Sequence, residues 1–371
     1  MESKSNQTIK GNENVQQNIV QQTNNYIVTG VTEEKARSIS EKTSREISSQ
    51  FFELSQNLAN KRMDDFENIV MGKISKIEAG LDMFADPSFV YQYRNAQIQA
   101  AKTDNENDYN LLCQLLIHRS QKKENKFTQT GVDGAIKIVD ELSDAVLCGL
   151  TILNCMVRGV GPCSLDIDEG LQTLDNLYNV IINGSSLPTG YEWFDQLDVL
   201  QAIRITPYSS FPKFNEVMEK TLSKYLIVGI EINSDNYVKA LKIQRDIGLN
   251  LLVTNPLLTS HAILKFSKEA YEDVYITNPS IPGFKRYLKE ITPQDKIRDG
   301  INSIFDLYEN NLEKQKEVQK VLISKLDSYK YIKIVSEWWN QLPHACEITS
   351  IGRVLGHANA KRCYPDFPPL D

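Results

Sequence analysis

The chain has 371 residues, with 41 Lys and Arg against 48 Asp and Glu, for a formal net charge of -7. At about 150 residues per domain this length leaves room for two or three domains. The acidic balance argues against a dedicated phosphate-backbone binder, which carries a basic excess, and no apolar run reaches the ~18 residues of a membrane span. The N-terminus, MESKSNQTIKGNENVQQ, lacks the basic-then-apolar layout of a secretion leader. A cytoplasmic protein is expected.

Residues 1–31 are rich in Asn and Gln and nearly uncharged, with Val15, Ile19, Tyr26 and Val28 among a few scattered β-formers. Alone they could not bury enough surface to offset their ordering entropy. Two readings stay open: disorder, or short strands that pair between subunits through ladder hydrogen bonds. A long helix is expected over 32–85. Thr32 suits its N-cap, and Glu33 and Glu34 place negative charge in the first turn. Apolar residues recur at helical spacing through Ile39, Ile47, Phe51, Leu54, Leu58, Phe66, Ile74 and Leu81, and no proline intervenes before Pro87. One long helix or two nearly collinear ones would fit, packed on a core or free as a coiled-coil stalk. Joined to the tail, the stalk implies a homo-oligomer assembled through Val15, Ile19, Tyr26, Val28, Phe51, Leu54 and Leu58.

A helical subdomain is expected over 86–160. Asp86-Pro87 gives an N-cap and a proline at the first helical position. Helices are read at 87–103, 106–121, 132–141 and 144–157, the last capped by Ser143, with a loop at Lys122–Lys126. The segment 164–292 reads as mixed but mostly helical, with helices at 166–183, 191–203, 212–227 and 234–247. The β-branched run Tyr225–Ile232 marks one short strand, and 250–292 is irregular and proline-rich. The remainder, 293–371, reads as a charged helix to about Ser328, a helix carrying Trp338 and Trp339, and a strand-turn-helix ending around Ile348–Arg353. The fold class is therefore mainly α: a multi-helical body with a long N-terminal helix and a short polar N-terminal β segment.

Signatures of chemistry are sparse. The sequence holds no phosphate-cradling glycine loop, no nucleophile elbow and no zinc-spaced His or Cys pairs, so no cofactor and no metal are expected. Its six cysteines read as small buried hydrophobes, Cys148 and Cys155 sharing one helical face. Asp166, Asp168 and Glu169 read as capping and dipole partners at a helix start, not as a metal site. The basic run Arg119, Lys122, Lys123, Lys126 reads as a solvated loop. Trp338 and Trp339 read as core, with the alternative that one of them faces a partner. Arg353 and His357 lie four apart on one helical face. An Arg and a His can together serve a metal-independent ribonuclease, but a surface or interface role is the leading reading. His118 completes this short set of catalytic candidates, and whether the chain is an enzyme stays open, leaning to no.

Several stretches carry a family resemblance. They are Gly30-Val31-Thr32-Glu33-Glu34-Lys35-Ala36-Arg37 with Phe51, Phe52, Leu54 and Arg62 downstream, then Asp86-Pro87-Ser88-Phe89 with Ala96-Gln97 and a Leu-rich helix ending His118-Arg119. Tyr225–Gly229 with Asn255-Pro256-Leu257-Leu258 and the ending Thr349-Ser350-Ile351-Gly352-Arg353 complete them. Together they resemble an uncharacterised bacterial family related to the abortive-infection alpha proteins of phage defence. The resemblance implies a helical bacterial antiviral protein, an oligomeric sensor or effector acting through contacts with a phage protein or a partner defence protein. It carries over no catalytic residue. Two alternatives remain: a nuclease effector whose site is assembled from distant residues, and a DNA-binding regulator. Net charge disfavours nucleic acid as a partner.

Overall fold

The computed structural model describes residues 31–78, 80–121, 125–161, 166–265, 275–277, 285–287 and 294–370. The expected tail strands, with Val15, Ile19, Tyr26 and Val28, lie outside the described residues, as do Lys122 and Lys123. The protein is mainly α, and the chain divides into two compact units, residues 1–64 and 65–371.

The first helix, α1, runs over Glu33–Ile74. It starts where the sequence places its cap: the Lys35 amide donates to Thr32 Oγ1 at 3.3 Å, and Arg37 bonds Glu33 one turn away. It ends earlier than expected, and Gly80–Ala85 forms a separate 3-10 turn. Its apolar residues divide sharply. Within the first unit, Ile39, Ile47, Phe51, Phe52, Leu54 and Leu58 are all exposed. Within the second, Phe66, Val70 and Ile74 are buried.

The second unit begins with a helical layer: α2 (Pro87–Lys102), α3 (Glu106–Gln121), α4 (Lys126–Ile138) and α5 (Asp144–Val157). Local chemistry sets their starts. Asp86 accepts from the Ser88 amide at 2.9 Å, Asn125 from the Thr128 amide at 3.1 Å and Ser143 from the Val146 amide at 3.3 Å. The Asn125 cap moves the start of α4 forward of the predicted 132 and absorbs the end of the expected loop. Next come α6 (Ile167–Ile182), closed by Asn183 in the left-handed region at φ 39°, and α7 (Glu192–Val199).

The helix expected over 191–203 stops at Val199, and the stretch after it forms β1 (Ile203–Thr206), paired antiparallel with β7 (Ala345–Ile348). After α8 (Phe214–Thr221), the β-branched run shrinks to β2 (Ile230–Glu231), because Ser223–Tyr225 turns as a 3-10 helix. Following α9 (Asp235–Ile247), the region read as irregular holds β3 (Leu252–Asn255), β4 (Leu258–Leu264), and the paired β5 (Tyr275–Thr277) and β6 (Lys285–Tyr287). Strands β2, β4 and β3 form one small antiparallel sheet in that order. The expected single charged helix from 293 is two, α10 (Gln294–Phe305) and α11 (Leu312–Ser328). Asn311 restarts the chain by accepting from the Glu313 and Lys314 amides. Then come α12 (Lys330–Trp339) and α13 (Ser350–Cys363).

Two hydrophobic cores result. The larger draws on residues from Phe66 to Leu258 and again from Val318 to Leu370. The smaller comprises Ile230, Ala240, Ile247, Leu249, Leu251, Leu264, Ile297, Ile301 and Ile304. Chain order and packing order therefore differ: α13, near the C-terminus, packs between α3, α4 and α5 of the helical layer.

A buried histidine pair as the candidate functional site

The position of α13 is fixed by its first turn. Thr349 Oγ1 accepts from the Gly352 amide at 3.2 Å and donates to the Gln201 carbonyl at 2.6 Å, tying the helix start to the turn before β1. Gly352 lies so close to the Ala202 carbonyl that no Cβ fits there. The polar network along the buried side of α13 reinforces this seat. Asn359 donates to Thr151 Oγ1 at 2.8 Å, and Arg362 donates to Asn359 Oδ1 at 2.9 Å and to Asn107 Oδ1 at 2.7 Å.

This seating brings together two residues 239 positions apart in the chain. The rings of His118, in the last turn of α3, and His357, in the middle of α13, lie 4.8 Å apart between centroids at an interplanar angle of 47°. Both are buried, at 5% and 1% exposure. His357 is thus not the surface residue that its helical face suggested. Its Nε2 lies 2.8 Å from the Pro368 carbonyl. A carbonyl only accepts, so Nε2 carries a proton. His118 Nε2 faces the Gln114 side-chain amide at 3.4 Å.

Both rings border a cavity of about 280 Å³ lined also by Gln114, Gln121, Lys361 and Leu370. Lys361 donates to the Phe367 carbonyl at 2.7 Å, and the Phe367 ring packs 5.4 Å from His357. These contacts hold the segment from which Pro369 and Leu370 line the cavity. Arg353, the third candidate, is half-buried one turn before His357 and is not among the cavity's lining residues. Sequence reasoning missed Lys361 and Gln114. Each stands four residues from a histidine on the same helix, and that spacing was visible.

The other sequence candidates resolve into packing and capping. Arg119 belongs to α3 and is buried, which corrects its placement in a solvated loop; it pairs with Asp133 at 3.0 Å and donates to Ser88 Oγ at 2.9 Å. Asp166 Oδ1 accepts from the Asp168 and Glu169 amides, the expected cap. Both tryptophans are buried, and their indoles donate to the Pro188 and Pro212 carbonyls at 2.8 and 2.9 Å. Cys148 and Cys155 are buried free thiols, each pushed up to about 12 by desolvation, so neither is a thiolate nucleophile. Among the described residues, no group of three His, Cys, Asp or Glu side chains could hold a metal ion. No described helix is long and apolar enough to cross a membrane.

A second cluster looks like a relay. Ser260 Oγ lies 2.9 Å from His261 Nδ1, and His261 Nε2 lies 3.2 Å from Glu309. Lys314 Nζ, however, sits 3.0 Å from the same Nε2. A carboxylate only accepts and an ammonium only donates, so the two contacts at Nε2 call for opposite tautomers of His261. The cluster joins β4 to the start of α11, with Lys314 bonded to Glu309 at 2.8 Å.

A family model whose description reads only "-like" matches residues 30–370, and the chain belongs to that family, which is uncharacterised. No curated protein and no solved structure matches the chain.

Proposed function

We propose that this is a bacterial phage-defence protein, cytoplasmic and homo-oligomeric, acting in abortive infection through protein contacts. The observation that carries the reading is the exposed apolar row Ile47, Phe51, Leu54, Leu58 on α1. Large apolar side chains held in water on one face mark an interaction surface. The sequence resemblance to the abortive-infection alpha proteins supplies the setting. A phage challenge of cells carrying the gene tests it. Survival at low infection ratio with culture collapse at high ratio is the expected outcome; plaque counts equal to those of cells lacking the gene would sink it.

The meeting of His118 and His357 favours one second reading, a nuclease. Two imidazoles with a nearby ammonium can divide the work of phosphodiester cleavage. One removes the proton of the attacking hydroxyl, the other protonates the leaving oxygen, and Lys361 balances the charge that builds on phosphorus. Incubating the purified protein with RNA and with phage DNA, with and without divalent metal, tests it. Cleavage that disappears in His118→Ala and His357→Ala supports this reading, and cleavage that survives both removes it.

A further inference from the structure

We propose that the first unit pairs with a second copy of this chain as an antiparallel two-stranded coiled coil. This rests on the self-association in the proposed function and adds its geometry. Ile47, Phe51, Leu54 and Leu58 are spaced by 4, 3 and 4 residues, the step of a heptad seam, and are 47%, 66%, 65% and 50% exposed. They occupy the positions d, a, d, a. Beside these four residues the flanking positions Ser48, Gln50, Ser55 and Asn57 are uncharged, and charge returns only beyond them, at Glu41 and Arg62.

Three charged pairs close along the helix itself. Arg37 pairs with Glu33, Lys42 with Glu46 and Arg45 with Glu41, each at i,i+4. What remains is an apolar row with neutral borders. It offers no charge pattern for a basic or acidic partner and is complementary to itself.

Charge at the ends of the seam selects the direction. Continuing the heptad puts Arg37 and Lys61 at seam positions. In a parallel, in-register pair each would face its own copy, two like-charge contacts at the interface. Running the helices antiparallel, centred between Phe51 and Leu54, sets Phe51 against Leu54 of the second copy, Ile47 against Leu58 and Lys61 against Ser44. Arg37 of the two copies then lie at opposite ends. The seam keeps its apolar pairs and loses both repulsions.

Light scattering on the full chain should give twice the 42.2 kDa chain mass. Phe51→Ser with Leu54→Ser should return it to the single-chain mass with far-UV circular dichroism unchanged, since both side chains are exposed. Any other native mass, or a mass the double variant leaves unchanged, overturns the proposal. Spin labels at Ser38→Cys, read against the same labelling of the unsubstituted protein, settle direction. Antiparallel helices place them about 45 Å apart, at 1.5 Å per residue. Parallel helices place them about 10 Å apart, and that result overturns the proposal. The phage challenge is scored separately: a dimer that gives no protection removes the defence reading and leaves the pairing, and a protecting monomer does the reverse.

Discussion

The group of ionisable residues at His261 shows how one position can hold a module in place. Glu309 accepts from Lys314, and that bond holds its carboxyl below the usual carboxylate range, while Lys314 is raised in turn by Glu309. A depressed carboxylate contributes stability that is present above its unfolded pKa, near 4.3, and is lost as pH falls through the folded value. A raised ammonium contributes below its unfolded pKa, near 10.4, and loses that contribution as pH rises through the folded value. The pair is therefore intact across the neutral range. Glu309→Gln should lower stability at pH 7 by about 1 kcal/mol, the scale of one partly exposed charged hydrogen bond. The gap between variant and parent should narrow at pH 3, measured by urea unfolding at both values. A gap that is the same at both would show that the carboxylate charge contributes nothing.

At the scale of elements, two glycines should respond in opposite directions to the same substitution. Gly352 sits in the first turn of α13, against the Ala202 carbonyl, where a methyl group meets fixed backbone. Gly352→Ala should cost about 1–3 kcal/mol, as overpacking does, by lifting α13 from the β1 turn. Gly72 lies exposed in α1, and a Cβ there meets nothing within 4 Å. Gly72→Ala should stabilise by about 0.5–1 kcal/mol by removing unfolded-chain entropy. Thermal unfolding of the two variants beside the parent reads both signs. Most of this element plan was legible in the sequence, because caps are local. Thr32, Asp86, Ser143 and Asp166 each bond amides two or three residues away, and each was identified from the residue alone. Strands were legible only in part: Tyr225–Ile232 contains β2, and the strand-turn-helix ending meets β7 and α13, but β1 was missed. Ile203–Thr206 is four residues long and is a strand only because Ala345–Ile348 lies beside it, a partner more than a hundred residues away that no local pattern encodes.

For the whole molecule, the same limit applies to the candidate site. His118 and His357 each stood out as isolated histidines, but their meeting depends on α13 inserting beside α3, a long-range choice made by packing. The division into segments along the chain likewise does not foretell two cores, since the larger one collects residues from both ends of the second unit. All three tryptophans, Trp193, Trp338 and Trp339, are buried in that larger core, and the smaller core has none, its aromatic neighbours being Tyr237, Phe305 and Tyr308. Indole emission is consequently a reporter for one core and blind to the other. During chemical unfolding, blue-shifted fluorescence should redden only when the larger core opens, while far-UV ellipticity records both. If the two traces coincide, the cores melt as one cooperative body. If ellipticity moves first, the β2–β4 module comes apart while the tryptophans still sit in a dry interior.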